Sequence, residues 1–150
     1  MKAVLDTNVI MDALQERQPF DIEAKEILRR AESGEVIVMF TANAATDIFY
    51  MYSKARGVKS ARSALEFLLN SYVAVDVTHS DCLNALKLAN DDFEDALVSV
   101  CAEKAQADCI VTRDEAFLKT DSAVKIISPA VIVLLPEPFD SANASTIGYR

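Results

Sequence analysis

Short apolar runs of strand length alternate along this chain with longer stretches in which apolar residues recur every three or four positions. The first pattern suits buried strands and the second amphipathic helices. Lys2 to Leu5 opens the series as a strand. Val9, Ile10, Ala13 and Leu14 then fall at helical spacing within Asn8 to Leu14, and Gln15 to Phe20, with Pro19, breaks that helix. Asp21 starts the next, which carries Ile22, Ala24, Ile27, Leu28 and Ala31 and stops at Ser33-Gly34. Val36 to Phe40 is a continuous apolar run, as expected of a strand buried on both faces in a parallel sheet.

The alternation continues to the end of the apolar sequence. Thr41 is expected to cap a helix striped by Ala44, Ile48, Met51 and Tyr52 and closed by Arg56-Gly57. Lys59 to Leu69 follows, with Ala61, Ala64, Leu65 and Leu68 facing inward. Tyr72 to Val77 reads as the third strand, and Ser80 begins a helix through Leu83, Leu86 and Ala89 that Asn90 closes. Asp91 and Asp92 precede a helix from Phe93 to about Ala107, with Leu97, Val100, Cys101 and Ala105 inward. Cys109 to Val111 is the fourth strand, broken by Thr112-Arg113-Asp114, and Val124 to Ile127 is the fifth. Ser128-Pro129 has the form of an N-cap with proline at the first helical position, leading into Ala130 to Leu135. This order predicts an α/β fold, a three-layer α/β/α sandwich in which helices cover both faces of a five-stranded parallel sheet. The domain is expected over residues 1–136, and residues 137–150, polar and small, read as a C-terminal tail.

Composition narrows the class. Half apolar, a quarter charged and with only 3 Gly and 4 Pro in 150 residues, the chain has an ordinary globular composition and the length of one domain. No apolar run approaches the roughly 20 residues of a spanning helix, and nothing resembles a signal peptide, so a cytoplasmic protein with no membrane partner is expected. Cys82, Cys101 and Cys109 lie within apolar periodic segments without paired spacing and read as reduced thiols. His79, the only histidine, cannot build a zinc site with them and reads as the start of a helix. A formal charge of −8 excludes broad electrostatic binding of nucleic acid, but not a local site where metal ions supply the positive charge.

That possibility turns attention to the acids. Asp6 follows the first strand, Asp47 lies about two turns into the helix after the second, Asp92 and Asp95 open the helix before the fourth, and Asp114 follows the fourth. A parallel sheet brings all of these positions to one edge, where ligands of open α/β sheets bind. Converging carboxylates repel at low effective dielectric unless a cation compensates them. Hard oxygen donors of this kind suit Mg²⁺ or Mn²⁺, which generate a nucleophile from water and stabilise a leaving oxygen in phosphodiester hydrolysis. Each acid also has a plainer reading. Asp6 and Asp92 can cap helices, Asp92 most simply so; Asp95 at N3 complements a helix dipole; Asp114 can start a turn; Asp47 can be solvated.

Taken together, Val4-Leu5-Asp6-Thr7-Asn8-Val9-Ile10, Asp92-Phe93-Glu94-Asp95-Ala96-Leu97 and Ile110-Val111-Thr112-Arg113-Asp114, in this order and separation, resemble a PIN domain over nearly the whole chain. Glu16-Arg17-Gln18-Pro19-Phe20 and Thr46-Asp47-Ile48-Phe49-Tyr50-Met51 resemble a bacterial and archaeal branch of that family. The resemblance implies Mg²⁺- or Mn²⁺-dependent endoribonuclease cleavage of single-stranded RNA. By position, Asp6, Asp95 and Asp114 match the metal-binding acids of the family, Asn8 its polar partner and Thr112 the hydroxyl residue beside the last acid. The second acidic position is usually glutamate; here it is the shorter Asp47, expected as the fourth catalytic and metal-binding acid, reaching the ion through water or from a shifted helix. Many family members are toxins paired with an antitoxin, and homodimers are common. A PIN fold kept as a binding or regulatory module is the second reading, motivated by Asp47 and the net acidity. A receiver-type phosphoacceptor domain fits less well: the first strand yields one Asp, Asp76 lies within Val75-Asp76-Val77, and Lys125 lies inside the fifth strand. A haloacid-dehalogenase-type phosphatase would need a second acid at Asn8. Arg17, Lys54 and Arg113 flank the motifs as candidate phosphate contacts, each with a solvated-surface alternative. With His79 outside the motifs, Asp95 or Asp114 would assist deprotonation of the attacking water.

Overall fold

A computed structural model of the chain describes residues 1–136, so the expected tail at 137–150 lies outside the described residues. The five strands β1 (Lys2–Leu5), β2 (Ile37–Thr41), β3 (Val73–Val75), β4 (Cys109–Val111) and β5 (Lys125–Ile127) form one parallel sheet in the order β3-β2-β1-β4-β5. The helices are α1 (Thr7–Leu14), α2 (Asp21–Glu32), α3 (Ala44–Arg56), α4 (Val58–Ser71), α5 (His79–Leu86), α6 (Phe93–Lys104), α7 (Glu115–Leu118) and α8 (Pro129–Val133).

Successive strand residues point to opposite faces, and the two cores follow that period. Ala3, Leu5, Val38, Phe40, Cys109, Val111 and Ile127 pack with Ile10, Ile27, Ile48, Leu68 and Ile132, from α1 to α4 and α8. Val4, Met39, Val75 and Ile110 pack on the other face with Ala85, Leu97, Cys101 and Phe117, from α5 to α7. The uninterrupted apolar runs of β1 and β2 are thus explained by burial on both sides. Cys101 and Cys109 are buried free thiols pushed up to about 11 by burial, and Cys82 is half-buried and also free. No helix among the described residues is long and apolar enough to cross a membrane.

Several element limits differ from those expected. Thr41 does not cap α3; it ends β2, opposite Val75, and the Ala42 amide extends that pairing to the Val75 carbonyl at 2.8 Å. Asn43 takes the N-cap position without a side-chain capping bond. The third strand is shorter than Tyr72 to Val77 because β2, its neighbour among the described residues, ends opposite Val75. Helix α5 begins at His79 because Thr78 and Asp81 form a reciprocal capping box. Its inner face is Asp81 and Ala85, whereas Leu83 and Leu86 are exposed. The short α7, capped by Asp114, adds an element that periodicity over so few residues cannot reveal.

Candidate active site

The chain runs from β1 outward to β3 on one side of the sheet, then returns to place β4 on the other side of β1. The carboxyl ends of β1 and β4 therefore flank the topological switch point, where a crevice opens in such sheets. Leu5 is in register with Val111, and the Asp6 amide donates to the Val111 carbonyl at 2.9 Å. Asp6 is the N-cap of α1 and Asp114 the N-cap of α7, so the two strand ends present their acids side by side.

Asp6 is the most enclosed of these carboxylates, 8% exposed. Its Oδ1 accepts from the Thr7 amide at 2.8 Å, and its Oδ2 accepts from Thr112 Oγ1 at 2.7 Å and from Asn8 Nδ2 at 3.1 Å. Asn8 Nδ2 also reaches Thr112 Oγ1 at 3.3 Å, and the Asp114 amide donates to the same hydroxyl at 3.0 Å. Asn8 and the fully buried Thr112 thus link the Asp6 carboxylate to the backbone that carries Asp114. Burial raises the Asp6 carboxyl above its ordinary range; bonds from Thr112 and Thr7 oppose the shift, and the charges of Asp114 and Asp92 add to it.

Helix α6 supplies the next acids. Asp92 is its N-cap, as expected, accepting from the Asp95 amide at 3.1 Å. Burial, then the charges of Asp92, Asp6, Asp114 and Glu94, push Asp95 up to about 7. Glu94 is raised by burial and by Asp47, Asp6 and Asp92. Asp47 stands in the first turn of α3 instead of two turns in, because that helix starts at Ala44 close to the sheet edge. Its charge raises Glu94, as do those of Asp6 and Asp92. Thr7, Asp47, Tyr50, Met51 and Glu94 line one cleft of about 350 Å³.

Asp6, Asp92, Asp95 and Asp114 therefore share one electrostatic neighbourhood, with Asp47 at its margin. Among the described residues, no three His, Cys, Asp or Glu side chains are disposed around a point as a metal cage. The geometry gives the reason. Asp114 Oδ1 is turned to the amides of Ala116 and Phe117 at 2.8 and 3.2 Å, Asp92 Oδ1 to Asp95, and both Asp6 oxygens are engaged by hydrogen-bond donors. The donor set still fits a hard divalent ion: several carboxylates, one at about 7, carry mutual repulsion that a cation would relieve.

Two participants escaped the sequence reading. Glu94 is adjacent to Asp95 within a recognised motif, but only the helix direction shows that it joins Asp47 to the cluster. Asp12 is 1% exposed and receives two bonds from Arg113, Nε to Oδ2 at 2.6 Å and Nη2 to Oδ1 at 3.0 Å. An acid on the apolar side of a helix calls for a partner, and this was the available signal. The Arg113 guanidinium also lies 4.2 Å from the Phe20 ring centroid. Arg113 is therefore committed to Asp12 and does not stand as a free phosphate contact. Arg17 likewise bonds Gln15 and approaches Asp12 at 3.9 Å, while Lys54 lies over the Tyr50 ring at 4.7 Å.

Comparison with known proteins agrees with this architecture. VapBC-1 from nontypeable Haemophilus influenzae superposes with a TM-score of 0.66 at 15% identity, covering 87% of this chain and 99% of that one. VapBC2 from Rickettsia felis, bound to a DNA fragment from its promoter, gives 0.64 at 14% identity over 85% and 98%. Mycobacterium tuberculosis VapC20, a Sarcin-Ricin loop cleaving toxin, gives 0.62 at 16% identity over 77% and 92%. At these identities the likeness is one of fold. No curated protein matches the chain. The PIN domain family model matches residues 2–116, spanning β1 through β4 and every acid of the site, and the chain belongs to the PIN domain family.

Proposed function

We propose that this protein is a Mg²⁺- or Mn²⁺-dependent endoribonuclease that cleaves single-stranded RNA, acting as the toxin of a toxin–antitoxin pair. The observation that carries the reading is the grouping of Asp6, Asp95 and Asp114 at the switch point of a PIN-family sheet, with Asp95 raised to about 7 by burial and like charges. Solved structures with this fold include a toxin–antitoxin complex from Klebsiella pneumoniae and a Sarcin-Ricin loop cleaving toxin, which supports the choice of partner and substrate class.

In this reading Asp6, Asp95 and Asp114 hold the ion, while Asp47 and Glu94 border the cleft through which the RNA backbone enters. A divalent ion bound there supplies Lewis-acid activation of water and of the scissile phosphate. Asn8 and Thr112 keep the Asp6 carboxylate aimed, through the bonds of 3.1 and 2.7 Å. Loss of a proton from the activated water would be assisted by Asp95 or Asp114, the acids beside it, since His79 lies outside the site. The Asp47 side chain, shorter than glutamate by one methylene, favours a second reading in which the domain binds RNA and cleaves it weakly.

Cleavage of single-stranded RNA in Mg²⁺ or Mn²⁺ by wild type and by Asp6→Asn tests the proposal. Wild type is expected to cut, and the variant to lose at least about a hundredfold in rate. Equal cutting by both would sink the assignment. Absence of cutting by wild type, with RNA still bound, would favour the binding module.

A further inference from the structure

The protein carries 15 Lys and Arg against 23 Asp and Glu, yet the nine residues Lys54 to Arg62 hold Lys54, Arg56, Lys59 and Arg62 and no acid. This stretch comprises the end of α3, Gly57 and the start of α4. Gly57, at a φ of 85° that favours glycine, ends one helix and begins the other, so the cations gather at the tip of a helical hairpin. All four are exposed, and among the described residues none forms an ion pair; Lys54 makes only its contact over Tyr50.

The patch connects to the cleft. Asp47, Tyr50 and Lys54 occupy one side of α3 by helical spacing, and Asp47 and Tyr50 both line the cleft beside Thr7 and Glu94. From Asp47 to Lys54 the helix advances about 10 Å, so the cations begin roughly two turns beyond the acids. Tyr50 is 58% exposed between them, an aromatic surface of the kind on which a nucleobase stacks.

We propose that the α3–α4 hairpin tip, with Lys54, Arg56, Lys59 and Arg62, is the backbone-binding surface that guides single-stranded RNA past Tyr50 to the acidic cleft. The inference rests on the ribonuclease reading for its direction, but its chemistry is that of a polyanion on an isolated cationic patch. A molecule whose overall charge repels RNA needs a local cationic surface to engage the phosphates, and salt-dependent counterion release supplies the affinity. A second copy of the chain is a poorer occupant for a symmetric contact, because it would set two like-charged tips together. The location beside the cleft favours RNA over an acidic protein.

The test is binding of a short labelled single-stranded RNA in EDTA, where no cutting occurs, across a salt series. Wild type is compared with a quadruple variant, Lys54→Gln, Arg56→Gln, Lys59→Gln and Arg62→Gln, and with a control, Lys87→Gln and Lys125→Gln. The hairpin variant is expected to lose about tenfold or more in affinity at low salt, and its salt slope to fall by about 0.7 for each phosphate contact removed, with the control unchanged. Unaltered melting temperature confirms that folding is intact. Wild-type affinity and slope in the hairpin variant would overturn the inference, as would failure of wild type to bind RNA. An RNA affinity unchanged while an acidic protein partner is lost would also overturn it, by making the tip a protein-docking face. Loss of binding in the hairpin variant together with no metal-dependent cutting by wild type would uphold the RNA surface and reject the nuclease. Asp6-dependent cutting with an indifferent hairpin would do the reverse.

Discussion

Asp95 carries a pH signature that can be followed without any substrate. Burial and the nearby Asp92, Asp6, Asp114 and Glu94 charges hold its proton until about pH 7, whereas in the unfolded chain the carboxyl loses it near 4. The folded state thus binds more protons than the unfolded between those values, and stability falls as pH rises through that window. Thermal unfolding in EDTA is expected to show a decreasing melting temperature from about pH 4 to about pH 7, and Asp95→Asn to flatten that decline and melt higher than wild type at about pH 8. An unchanged profile in the variant would contradict the electrostatic picture. Asp6, Asp95 and Asp114 were legible in sequence because each sits where a strand or helix starts or stops, so topology alone brings them to one edge. Glu94 was not, because adjacency on a helix says little about which neighbour a side chain meets.

At the scale of elements, the loop after β4 is held on α1 by the Asp12–Arg113 pair, which joins residues 101 apart in sequence. The Asp12 side chain is 2% exposed, so removing Arg113 strips both close bonds from a charge in a nearly dry setting and leaves it the more distant Arg17, at 3.9 Å. Arg113→Ala is expected to destabilise the protein by about 3 kcal/mol, read by urea unfolding. A loss below about 1 kcal/mol would mean that Asp12 finds compensation elsewhere. Pairing over such a separation is invisible to periodicity, and so Arg113 reads as a loose surface cation from sequence. The two helix layers were more accessible, since the apolar runs of β1 and β2 call for cover on both faces. Helix starts were less so. Strand pairing overrode the capping tendency of Thr41, and the Thr78–Asp81 box, rather than Ser80, fixed the start of α5.

For the whole molecule, the proposed reading divides RNA engagement between the cationic hairpin tip and the acidic crevice. The tip would contribute salt-sensitive affinity, and the crevice would contribute reactivity only when a divalent ion balances its carboxylates. The crevice is the central element, because both the family membership and the raised Asp95 converge on it. Its most direct test is anomalous diffraction from crystals soaked in Mn²⁺. An anomalous peak within bonding distance of a carboxylate oxygen of Asp6 and of Asp95 or Asp114 is the expected result, with the peak absent in Asp6→Asn. No peak at the crevice, or one that leaves Asp6 unbound, would contradict the account.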